Sequence, residues 1–250
     1  MRDTLIKLAL APLLLLQGLY VRRVTPRLPE PEGERVGTTG SGPHLRLLVL
    51  GDSAAAGVGV NSQAEALSGQ LVGNLASDFR VSWKLIAQSG LNTAQLQALV
   101  ERSVTEPFDA VVLSIGLNDV TGGASVAEWT PAMNRLLDLL QWKYNTRHLL
   151  IAPIPPMHAF PALPQPLRWY LGRRARHFNA GLKWLTNRRM DCHLQTCNFP
   201  MQRDSLAADG FHPGAAAYAL WASESASILR ECFADPQMLS GRVVVPERAG

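Results

Sequence analysis

Three shortages bound what this 250-residue chain can be. Cysteine is scarce: Cys192, Cys197 and Cys232 are an odd, sparse set that does not describe a disulfide framework. Cys192 and Cys197 are close enough to pair in an oxidising compartment, although ordinary thiols are the default expectation. Excess charge is lacking too. The formal net charge is +4 with 18% charged residues, too weak a basic balance to point to nucleic acid, and no zinc or helix-turn-helix spacing is present. A mildly basic protein near an anionic membrane fits that balance. Finally, apolar runs are short. Residues 8–21, LALAPLLLLQGLYV, are uncharged, but as a helix they reach only ~21 Å against a hydrocarbon core of ~30 Å. Extending back to Leu5 past a snorkelling Lys7 gives ~25 Å, a marginal span.

What the chain does have is 47% hydrophobic residues, enough for one α/β domain plus appendages. Residues 1–23 read as an uncleaved membrane anchor. A cleaved signal and an apolar helix packed on the protein are the alternatives, since no clear A-x-A cleavage site is present. Residues 24–44 are rich in proline and glycine and read as a linker. From 45 to 234 apolar strands alternate with helical patterns, which implies a parallel sheet covered by helices on both sides. Residues 235–250 read as a tail. Leu47-Leu48-Val49-Leu50 suits a strand buried on both faces. Val81–Ala87, Ala110–Ile115, Leu149–Ile154 and a short stretch near 191–197 supply four more. Ser62 and Glu65 form a capping-box pattern ahead of one helix. Asn92 or Thr93 starts the next, Ser125 or Thr130-Pro131 another, and Pro213 the last. The prolines from Pro153 to Pro166 mark a loop. A long helix then carries Leu167, Leu171, Ala175, Phe178, Leu182 and Leu185 on one face. Its other faces hold Arg168, Arg173, Arg174, Arg176, Arg188 and Arg189, which read as a solvated surface or one that meets anionic headgroups.

In open α/β sheets, sites form just outside the carboxyl ends of the strands. Ser53 follows such an end, in Gly51-Asp52-Ser53, and is either a nucleophile or a turn serine. Asp209-Gly210-Phe211-His212 offers a base and an orienting acid within one turn of chain. Backbone N–H groups of Ser53 and Gly90 and the side-chain amide of Asn118 could stabilise an oxyanion. Asp52 and Asp119 are expected to tie their loops. His44, His148, His158, His177 and His193 show no metal-ligand spacing; His158, in the proline-rich loop, is the one expected to line a pocket.

These residues carry a resemblance. GDSAAAGVG with Ser53, AQSGLNT with Gly90, GLND with Asn118 and DGFH with Asp209 and His212 stand in the order of the SGNH hydrolases, also called GDSL esterases and lipases. The resemblance runs from Leu45 to about Phe233. It implies a three-layer α/β/α, flavodoxin-like domain with a five-stranded parallel sheet, and ester or thioester hydrolysis through an acyl-enzyme, without metal or cofactor. The implied triad is Ser53, Asp209 and His212, and the implied oxyanion hole Ser53, Gly90 and Asn118. The leucine usual after Gly-Asp-Ser is Ala54 here, which alters the room beside the nucleophile. The G-x-S-x-G elbow of α/β-hydrolases is absent. The expectation is a membrane-associated or envelope serine esterase acting on carboxylic esters, including lipid or lysophospholipid esters. An O-acetyl esterase on envelope carbohydrate and a catalytically silent binding module are the rivals.

Overall fold

The structure, a computed structural model, describes residues 2–196 and 205–234, with the backbone alone for residues 2–9. Cys197, its pairing with Cys192, and the tail at 235–250 lie outside the described residues.

Strand β2 (His44–Gly51) is the centre. Its side chains alternate between two cores, Leu45, Leu47 and Val49 on one face and Leu48 and Leu50 on the other, all fully buried. Each such leucine contributes about 1.5–3 kcal/mol of burial. Only a strand covered on both faces can use an unbroken apolar run in this way. Around it stand β1 (Val36–Thr39), β3 (Arg80–Ala87), β4 (Ala110–Ser114), β5 (His148–Ile151) and β6 (Cys192–Leu194). The sheet order is β1-β3-β2-β4-β5-β6. The five expected strands are all present and all parallel. The sixth, β1, runs antiparallel on β3. It lies inside the stretch expected to be a linker, which is thereby corrected at residues 36–39. The strand is short and largely exposed, with the composition Val-Gly-Thr-Thr, and only the unpaired edge of β3 makes it a strand.

On one face lie α4 (Thr93–Arg102), α5 (Leu117–Gly122), α6 (Val126–Tyr144) and α7 (Leu167–Thr186); on the other lie α2 (Ser53–Ala56), α3 (Leu67–Leu75) and α8 (Ala215–Cys232). Capping boxes start α4, from Asn92 and Gln95, and α6, from Ser125 and Glu128. The Ser62–Glu65 pair does not cap a helix. Ser62 donates to Glu65 across a turn, and α3 starts later, after Ala66. The last helix starts after Gly214, not at Pro213. The arginines on and just after α7 are less free than a solvated face requires. Arg174 donates to the carbonyls of Val120 and Ala124, and Arg189 pairs with Asp138 and Asp191.

The apolar N-terminus forms α1 (Arg2–Val24). Among the described residues no helix is long and apolar enough to cross a membrane. Charged residues flank its apolar stretch, and the segment expected to be a membrane anchor is a helix packed on the domain. Leu14 and Val21 enter the core, while Leu13, Leu15, Leu16, Leu19 and Tyr20 stay exposed.

Candidate active site

Strand register builds the site. Gly51 stands opposite both Ala87 and Ser114, so β2, β3 and β4 end level. The residues just beyond these ends, Ser53, Gly90 and Asn118, therefore share one edge of the sheet and one cavity. Gly51 is required: with φ 155°, a Cβ there would lie 2.0 Å from the Ser114 carbonyl oxygen. Asp52 then caps α2, accepting from the Ala54 amide at 3.2 Å, and Ser53 opens the first turn of that helix. Asp52 is buried, and loss of hydration pushes its carboxyl up to about 7.

The fourth segment arrives from 159 residues away. The loop before α8 is closed by Ala207 donating to the His212 carbonyl at 2.8 Å, and Gly210 turns within it. Gly59, on the loop after α2, lets the two segments meet; a Cβ there would stand 2.2 Å from the Pro213 carbonyl oxygen. The Asp209 carboxylate accepts from the amides of Phe211 and His212, both at 3.0 Å, and from the His212 ring at 2.5 Å. Burial alone would raise this carboxyl, but the three hydrogen bonds outweigh it and hold the group below its ordinary value. An ionised Asp209 only accepts, so the proton belongs on His212 Nδ1. Nε2 then presents its lone pair to Ser53 Oγ, 2.9 Å away.

Asn118 uses one amide hydrogen on the Leu91 carbonyl at 2.9 Å, which orients the group and leaves the second hydrogen for the cavity. Asp119 supports this loop as expected, accepting from the Thr93 amide and hydroxyl, while Trp129 donates to that same hydroxyl.

The sequence reading missed two features. Glu30, in the expected linker, accepts from the amide and hydroxyl of Ser89 at 2.7 and 2.8 Å and pairs with Arg35, bracing the loop that carries Gly90. A proline-flanked acid in a polar stretch gave no local sign of this. Apart from the cavity, His148, His193 and Cys232 converge, with ligand-type atoms within 4.8 Å of one another. They come from β5, β6 and α8, so no sequence spacing could reveal the cluster. His158 is corrected: it is exposed and packs against Gly172, while its neighbour Met157 lines the cavity.

The sheet, its level strand ends and the cavity above them define an α/β/α fold, and the family match makes the chain a carboxylic ester hydrolase. The chain belongs to the GDSL-like Lipase/Acylhydrolase family, which it matches over residues 49–220. It is similar to the GDSL-like esterase Rv1075c of Mycobacterium tuberculosis (strain ATCC 25618 / H37Rv), 31% identical over 89% of this chain and 77% of the relative. Similar solved structures share the fold. A carbohydrate esterase family 2 enzyme of Corynascus thermopiles (Myceliophthora fergusii) has a TM-score of 0.62 and 16% identity, over 84% of this chain and 69% of that one. The psychrotrophic esterase EstA from Pseudoalteromonas sp. has a TM-score of 0.59 and 18% identity, over 76% and 99%.

Proposed function

We propose that the chain is a serine esterase acting on lipid-type carboxylic esters at a membrane surface, with Ser53 as nucleophile, His212 as base, Asp209 as orienting acid, and the Ser53 and Gly90 amides with Asn118 as the oxyanion hole. The observation that carries the reading is the continuous line Asp209–His212–Ser53, at 2.5 and 2.9 Å. His212 Nε2 takes the Ser53 proton as Oγ attacks the ester carbonyl carbon. The carbonyl oxygen becomes an alkoxide facing the three donors. Collapse breaks the bond to the leaving alkoxide, which takes the proton from His212 and departs as the alcohol. Water then repeats the sequence on the acyl-enzyme, returning Ser53 and releasing the carboxylic acid.

The membrane part of the reading rests on α1. Its outward face carries Leu13, Leu15, Leu16, Leu19 and Tyr20, with Arg22 and Arg23 at its end and Arg27 just beyond. Exposed apolar side chains followed by basic ones suit contact with an anionic bilayer surface. The test is labelling with a fluorophosphonate probe beside an ester hydrolysis assay. Wild type should label and turn over; Ser53→Ala should do neither, with activity down by several orders of magnitude and folding unchanged. A folded Ser53→Ala protein that keeps most of its kcat would sink the mechanism. Absence of label in wild type would favour the silent binding module. Release of acetate from acetylated sugars, without hydrolysis of longer acyl esters, would favour the carbohydrate O-acetyl esterase.

A further inference from the structure

We propose that α1 is the far wall of an acyl-chain site, so that the N-terminal helix sets which chain lengths the esterase accepts, with Gly18 leaving the room for a long chain. This rests on the serine esterase reading above. The cavity over Ser53 has a volume of about 920 Å3, near the top of the usual range for a ligand site. Its two ends differ in chemistry. At the sheet edge it is polar, with Ser53, Asn118 and His212; towards α1 it is mainly apolar, with Leu14, Gly18 and Val21 beside Val120, Leu167 and Leu171, while Arg22 and Arg174 also line it. A substrate that fits both ends has one ester group and a long hydrocarbon tail.

The wall is fastened rather than merely adjacent. The N-cap of α7, Pro166, makes no side-chain cap hydrogen bond, and Gln165 reaches only the Trp169 amide, at 3.2 Å. Gln17 of α1 bonds this turn too, accepting from the Leu167 amide at 3.0 Å and donating to the Gln165 carbonyl at 2.6 Å. Leu14, Gln17, Gly18 and Val21 follow helical spacing, so one face of α1 grips α7 and closes the cavity. Leu13, Leu16 and Tyr20 are exposed and do not line it, whereas Leu15 and Leu19, also exposed, do. The helix thus stands between the outside and the cavity, and a chain leaving a bilayer at its outer face would need only to pass around it. Gly18 is the thin point of the wall, where an added Cβ meets nothing within 4 Å. Replacing a mid-helix glycine strengthens a helix rather than weakening it, so a larger residue here fills space without a folding cost.

The test uses the full-length protein and para-nitrophenyl esters from acetyl to dodecanoyl, kept below micelle-forming concentrations. In wild type, kcat/KM should climb by up to about fourfold per methylene, the worth of burying each one. Gly18→Trp should leave the acetyl ester unchanged and cut the dodecanoyl ester by about tenfold or more. Gly18→Leu should fall between, and decides the matter if the tryptophan variant does not fold. A wild-type ratio of dodecanoyl to acetyl activity in the folded variants overturns the proposal. So does a flat chain-length profile in a wild-type enzyme that still takes the fluorophosphonate label, which would leave the serine mechanism standing. An enzyme that neither labels nor hydrolyses any of the esters overturns both.

Discussion

Asp52 and Asp209 are two buried acids that both feel the His212 imidazole, with opposite effects on stability. Dehydration raises Asp52 from 3.8 to about 7. Between those values the folded chain holds more protons than the unfolded one, so this group lowers stability as pH rises from about 4 to 7. Asp52→Asn keeps an acceptor for the Ala54 amide and removes the charge. It should therefore be more stable than wild type above pH 7, by up to about 4 kcal/mol, and match it more closely in acid. Urea unfolding at several pH values tests this, and parallel pH profiles would mean that Asp52 is not dehydrated. Asp209 has the other sign. Held below its ordinary value by hydrogen bonds from His212 and two amides, it stabilises the fold above that ordinary value and loses this as pH falls through the folded one. In the proposed mechanism Asn118 bears on rate rather than stability. Asn118→Ala should reduce kcat by roughly 10²–10³, the cost of one oxyanion donor, with a smaller change in KM. An effect confined to KM would make Asn118 a binding residue instead.

The N-terminal elements divide at the edge strand. Removal of residues 1–25 takes away α1 and leaves β1, the Glu30–Ser89 contact and the whole sheet. That truncation should fold and turn over an acetyl ester at close to the wild-type kcat. Removal of residues 1–40 also takes β1 and Glu30. The edge of β3 then loses its partner, and the Gly90 loop loses its brace. This shorter protein should lose at least about 2 kcal/mol of stability, the worth of a few hydrogen bonds, along with much of its activity. Thermal melts and acetyl-ester kinetics on both truncations measure the difference. Equal behaviour would show that residues 26–40 are a linker after all. Glu30→Ala isolates the brace. Displacing a catalytic group by an ångström can cost up to about 10² in rate, so kcat should fall with the melting temperature little changed.

For the molecule as a whole, the exposed face of α1 should bring the full chain down with anionic vesicles, less so in high salt because Arg22, Arg23 and Arg27 contribute. Leu15→Asp with Leu16→Asp should abolish sedimentation while acetyl-ester kcat stays as it was. Sedimentation that survives both changes would move the membrane contact elsewhere. By itself the amino-acid sequence determined the features whose causes are local. The short apolar run Leu47–Leu50, ended by Gly51, suits a strand buried on both faces, Asn92 and Ser125 satisfy the first amides of their helices with their own side chains, and Gly51 permits the sharp turn before Ser53. The alternation of those elements sets the parallel sheet, and the motifs at its strand ends identify the family. Tertiary structure decided what depends on partners distant in the chain. β1 has no apolar pattern and exists because the edge of β3 was unpaired. Glu30 matters only because Ser89 lies within 3 Å of it. In sequence, the apolar residues of α1 left an anchor, a signal and a packed helix all open. Gln17 bonding the first turn of α7, with Leu14 and Val21 entering the core, packs this helix on the domain, an arrangement the sequence could not show because burial and hydrogen bonding there need a partner some 150 residues away.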